Sequence, residues 1–164
     1  MILQSGTTPR LRKDLHAALS KDPSVIYVFP RQTTGVPDRV LTALQSSTVS
    51  NLDLRHVPLY DPTADSPWGE KEIATFKAVV EEAAALVKTG ATVLFACVAG
   101  RNRSRVAAKC TAAIAGVDSS NLKMPFDEGC FAALMDAFAS GDEEKVKQCA
   151  PVKPIRESRK RALP

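Results

Sequence analysis

The stretch Thr92-Val93-Leu94-Phe95-Ala96-Cys97-Val98-Ala99-Gly100-Arg101-Asn102-Arg103-Ser104 leaves the backbone few choices. Its first half is a short, uninterrupted apolar run and reads as a buried strand. The segment that follows, Arg-Val-Ala-Ala-Lys-Cys-Thr-Ala-Ala-Ile-Ala from Arg105, has helical composition. Residues 98–104 are therefore expected to link strand to helix. Such a link can aim its amides inward: successive N–H groups ahead of a helix N-terminus form an anion-binding nest, and the helix dipole adds partial positive charge. Gly100 lets the backbone approach the bound group. Cys97 lies at the base of the loop, where the same field favours the thiolate, the nucleophilic form of cysteine. Arg103 supplies a planar fork able to hold two phosphate oxygens at once, which a lysine cannot do. The pattern is that of a phosphate trap with a nucleophile at its floor.

Cys97-Val98-Ala99-Gly100-Arg101-Asn102-Arg103-Ser104 resembles the Cys-x-x-Gly-x-x-Arg-Ser/Thr signature of the cysteine-dependent protein tyrosine phosphatases, most closely their small dual-specificity branch. Upstream, His56-Val57-Pro58-Leu59-Tyr60-Asp61 resembles the strand and loop that deliver the general acid in that family. A helix predicted over 70–88 then leads back to the Cys97 strand, so the resemblance spans roughly residues 24–117. It implies that Cys97 attacks phosphorus, Arg103 binds the phosphoryl oxygens, Asp61 protonates the leaving oxygen and Ser104 assists departure of the thiolate. The cradle would be completed by backbone amides from Val98, Ala99, Gly100, Arg101, Asn102 and Arg103. Asp65 lies in the same Pro-rich loop as Asp61 and is the alternative acid. One position departs from the family pattern: most members place histidine directly before the nucleophile, and here it is Ala96. That departure bears on rate more than on reaction type: either Cys97 is less acidic than in the family, or Arg101 and Arg103 compensate.

Strands and helices alternate along the chain. Residues 11–19 have helical periodicity, 24–29 form a β-branched and aromatic run, and 37–45 can form a short helix opened by Pro37. Residues 54–60 read as a strand, and Pro67 with Gly69 punctuates the loop before the long helix. In that helix Ile73, Phe76, Val80, Ala83, Ala84 and Val87 recur at three- and four-residue steps on one face. Further helices are expected over 129–139 and 142–149. The alternation predicts an α/β fold, a mostly parallel central sheet flanked by helices and like the protein tyrosine phosphatases, with the ligand site beyond the strand C-termini.

With 164 residues, 45% of them hydrophobic, the chain suits one compact domain, expected over 1–150. Residues 151–164 are proline-flanked and basic, and read as a flexible tail, either solvated or drawn to an anionic partner. No run approaches the roughly 20 apolar residues of a membrane span, and the first residues lack the order of a signal peptide. Cytoplasmic residence is expected, with the nucleus as the alternative. Cys97, Cys110, Cys130 and Cys149 are spaced too irregularly for a disulfide framework or a zinc site. Cys110 reads as a packed core thiol. With only His16 and His56, a histidine-rich metal centre is discounted, and His56 reads as structural.

The net charge of +4 and pI near 9.0 accommodate anionic substrates. A phosphorylated protein is the leading substrate class. Arg101 in the loop resembles inositol-phosphate phosphatases, and Gly-x-Asn-Arg resembles cysteine-dependent RNA 5′-triphosphatases, so phosphoinositide and RNA 5′-phosphate are alternatives. Two rivals come from other classes: a rhodanese-like sulfurtransferase, which also places a loop cysteine before a basic residue, and a non-catalytic phosphate-binding module. The metal-free two-step chemistry implied by the resemblance calls for no cofactor.

Overall fold

A computed structural model of the chain describes residues 1–7, 12–29, 53–59, 68–97 and 103–123. In chain order the elements are β1 (Ile2–Gly6), α1 (Arg12–Leu19), β2 (Val25–Val28), β3 (Asp53–His56), α2 (Glu70–Lys88), β4 (Val93–Cys97) and α3 (Arg103–Ala115). The helices expected over 37–45, 129–139 and 142–149, and the tail 151–164, lie outside the described residues.

The described strands form one sheet in the order β1-β4-β2-β3, and every pairing is parallel. β4 is central: Val93 is in register with both Ile2 and Val25, and Cys97 with Gly6. All five of its residues are buried, as an unbroken apolar run requires when both faces of a parallel strand are covered. Alternation sorts the side chains into two layers. Val93, Phe95 and Cys97, with Val25, Tyr27 and Phe29 from β2 and its end, share a core with residues of α2 and α3. Leu94, Ile26 and Val28 pack on the other face with Leu15 and Ala18 of α1. Tyr27 and Phe95 stack with ring centroids 5.2 Å apart.

α2 has the bounds the sequence predicts, and its apolar face is used as expected: Phe76, Val80, Ala83, Ala84 and Val87 are buried, and Ile73 packs against the same core. At its start the Glu72 carboxylate accepts the Gly69 N–H at 3.1 Å, satisfying a donor that the first turn would otherwise leave free. At its end Gly90 N–H donates to Val87 O and Ala91 N–H to Leu86 O, the paired bonds of a Schellman motif. Gly90 takes φ +92°, the left-handed conformation this motif needs, and Gly116 (φ +70°) closes α3 in the same way through Gly116 to Ala113 and Val117 to Ala112.

Three features differ from the sequence reading. β1 was not anticipated, because Ile-Leu-Gln-Ser-Gly holds too few apolar residues to signal a strand; it forms by adding to the exposed side of β4. The strand expected over 54–60 pairs only as far as His56, which is exposed at the sheet edge. Val57 N–H still reaches Val28 O at 2.9 Å, but Pro58 has no N–H to offer, and Leu59 N–H turns back to Val57 O at 2.7 Å. α3 begins at Arg103 rather than beyond Ser104, so both residues occupy its first turn. On the outer edge Arg55 of β3 pairs with Asp53 and with Glu82 of α2, while Tyr27 Oη donates to Glu82 Oε1 at 2.6 Å. No helix among the described residues is long and apolar enough to cross a membrane.

Phe76 is fully buried and meets Trp68 at a centroid distance of 5.3 Å. Phe76→Ala is expected to cost about 3–5 kcal/mol, read as a lower urea midpoint at unchanged slope. Cys110 of α3 is also fully buried, and burial pushes its thiol well above the ordinary range. Above the unfolded thiol value of about 8.5 the unfolded chain sheds this proton and the folded chain keeps it, so the contribution is intact below that pH and is lost as pH rises. The stability of the parent relative to Cys110→Ala should therefore fall by about 1.4 kcal/mol for each pH unit above roughly 9, measured by urea unfolding in reductant.

Candidate active site

Cys97 ends β4 at the carboxyl edge of the sheet, the edge at which open parallel sheets hold their ligands. Its side chain lies on the layer shared with α2 and α3 and is 2% exposed. The chain returns six residues later as the first turn of α3, and this brings Ser104 over the sulfur: Cys97 Sγ and Ser104 Oγ are hydrogen-bonded at 3.1 Å in a buried setting. A thiol donates to that hydroxyl oxygen. Once the sulfur is a thiolate the direction reverses, and the Ser104 hydroxyl donates to it. The same contact can therefore serve either protonation state of the cysteine.

Arg103 precedes this serine and is 3% exposed, an unusual position for a guanidinium. It is also placed at the positive end of a helix, where a cation is disfavoured and an anion favoured. Two of its contacts help to offset the cost of burying it. Arg103 Nη1 donates to the carbonyl of Leu59 at 2.5 Å, and its Cζ lies 5.8 Å from the centroid of the Phe29 ring. A buried cation beside a helix N-terminus contradicts local preference, and such conflicts concentrate at functional sites. An oxyanion bound there would meet both the guanidinium and the helix dipole with favourable charge.

Of the residues that the sequence singles out, Cys97, Arg103 and Ser104 come together. Val98, Ala99, Gly100, Arg101, Asn102, Asp61 and Asp65 lie outside the described residues. Ala96 is fully buried and projects to the opposite layer, in register with Val28 and beside the side chains that pack under α1. A histidine at this position would have to be accommodated in that layer rather than in the site itself. The sequence reading missed Phe29 and Leu59. Phe29 could be found only as the apolar end of a strand, and Leu59 contributes a backbone carbonyl, which no side-chain pattern reveals. Among the described residues no three His, Cys, Asp or Glu side chains gather as metal ligands.

No protein-family model and no curated protein sequence matches the chain. Solved structures do. Human DUSP28 superimposes with a TM-score of 0.53 at 14% identity, over 88% of this chain and 94% of that one. Kinase associated phosphatase, in a form whose catalytic-site cysteine is replaced by serine, superimposes with a TM-score of 0.51 at 17% identity, over 90% of this chain and 86% of that one. With a parallel sheet ordered β1-β4-β2-β3 and a cysteine closing its central strand, the chain shares the α/β fold of kinase associated phosphatase and human DUSP28.

Proposed function

We propose that this protein is a phosphatase that hydrolyses phosphomonoesters through a cysteinyl-phosphate intermediate, with phosphotyrosine and phosphoserine or phosphothreonine of proteins as its substrates. The observation that carries the reading is the buried trio at the end of β4: a cysteine sulfur 3.1 Å from a serine hydroxyl, with an arginine buried in the same helical turn. The fold shared with a phosphatase whose own catalytic site holds a cysteine supports it.

In the first step the Cys97 thiolate attacks phosphorus in line. The S–P bond forms as the bond to the leaving oxygen breaks, and Asp61 gives that oxygen its proton. Arg103 and the amides of residues 98–103 take up charge on the equatorial oxygens. In the second step a water oxygen bonds to phosphorus while its proton passes to the Asp61 carboxylate. The S–P bond breaks, and the Ser104 hydroxyl donates to the departing thiolate. Covalent catalysis thus divides one difficult displacement into two, and one carboxyl acts first as acid and then as base. Residues 1–150 would form the catalytic domain, working in the cytoplasm, and 151–164 a basic tail.

The purified protein is expected to hydrolyse a small aryl phosphate in the presence of chelator, to be inhibited by vanadate, and to lose turnover about a thousandfold or more on Cys97→Ser. Full activity in that variant would overturn the reading. Turnover of thiosulfate instead would assign a sulfurtransferase, and tight phosphopeptide binding without hydrolysis a binding module. A panel of phosphopeptides, phosphoinositides and 5′-triphosphorylated RNA identifies the substrate class, with phosphopeptides expected to lead.

Asp61→Asn should slow substrates with poor leaving groups by about a hundredfold or more, and those with good leaving groups far less, because the latter need little protonation. Asp65→Asn should behave nearly as the parent. The reverse ranking would transfer the role of general acid to Asp65.

A further inference from the structure

We propose that Phe29 is a positioning residue for the phosphate-binding arginine, its ring face and the Leu59 carbonyl together fixing the plane of the Arg103 guanidinium. The inference deepens the phosphatase reading and rests on it.

A guanidinium on a long side chain has many orientations, and only those that present its fork in the plane of two phosphate oxygens bind them together. Two of the contacts that Arg103 makes select among them. The Phe29 ring lies under Cζ at 5.8 Å, within the range of a cation–π contact, and Nη1 is bonded to Leu59 O at 2.5 Å. Both partners are themselves held by the ends of the sheet. Phe29 N–H donates to Ala96 O at 2.8 Å, directly beside the nucleophile, and the Phe29 side chain is fully buried. Val57 N–H donates to Val28 O, and the turn closed by Leu59 N–H and Val57 O then aims the Leu59 carbonyl at the arginine. The chain of bonds runs from β4 through β2 to the turn that precedes Asp61, so the guanidinium is referenced to the same backbone as Cys97.

A ring that only filled space could be replaced by any apolar group of like volume. A ring that holds the cation acts through its negative face, and it must act through Arg103. Cation–π contacts in desolvated settings contribute about 2 kcal/mol. Phe29→Leu should accordingly lower kcat/KM for an aryl phosphate by roughly tenfold or more and weaken competitive inhibition by inorganic phosphate to a similar degree. Because Leu could perturb the fold, a second measurement keeps the shape of the ring. Site-specific incorporation of mono-, di- and trifluorinated phenylalanine at position 29 should reduce phosphate affinity step by step with fluorine number while the melting temperature stays within a few degrees. In an Arg103→Lys background the loss caused by Phe29→Leu should shrink to about twofold or less, since the planar group it orients is gone.

Equal phosphate inhibition across the fluorinated series would overturn the proposal, as would a Phe29→Leu loss of the same size with and without Arg103. Those results leave the phosphatase reading standing as long as the parent turns over. A parent chain that neither hydrolyses the aryl phosphate nor is inhibited by phosphate overturns that reading, and this proposal with it.

Discussion

The burial of β4 is the constraint from which the site follows. A strand covered on both faces and paired on both edges has no freedom to slip, because a shift of one residue would exchange every side chain between the layer under α1 and the layer under α2 and α3. Cys97 inherits that fixity. It is the last residue with a ladder partner, so the sulfur is placed by the register of three strands, and the chain then leaves the sheet and returns as α3. Alanines at 107, 108 and 112 let α3 sink against the core, and its first turn is thereby pressed down onto the sulfur.

Electrostatics at this corner run against ordinary stability. A guanidinium is buried, and it stands at the end of a helix that repels it. The carbonyl of Leu59 and the face of Phe29 help to make the position tolerable. Contrast the outer edge, where Arg55 is paired with Asp53 and Glu82 and serves to clip β3 to α2. The two arginines place the same group in two settings, one half-exposed on an edge strand and one buried in the first turn of a helix.

Much of this could be read from the residues. The helix over Glu70–Lys88 was legible because its apolar periodicity and the punctuation by Pro67 and Gly69 before it agree. That Cys97 would end a strand, with Arg103 and Ser104 near the start of the next helix, was legible from the apolar run before them and the helical composition after them. β1 was not, since a strand completed by its neighbours needs little hydrophobicity of its own, and Gln4 and Ser5 dilute the signal. Nor was the end of β3, where an apolar run continues through Leu59 although Pro58 stops the ladder. Local composition records what a segment prefers; it does not record which carbonyl will be near an arginine 44 residues away.

The pairing of β1 with β4 also sets the order in which the molecule can be assembled. Ile2 is in register with Val93, so this contact closes a loop of about ninety residues, whereas α2, β4 and α3 are neighbours along the chain. Loop-closure entropy makes such a contact a poor nucleus and a late event, and topologies rich in them fold slowly. During synthesis at roughly 5–20 residues per second the first strand waits several seconds or more before its partner exists. Until then one flank of β4 carries unpaired backbone groups beside Cys97, the kind of exposed edge that invites mispairing with another chain. Of the four described strands, the last to join the sheet is thus the first in chain order.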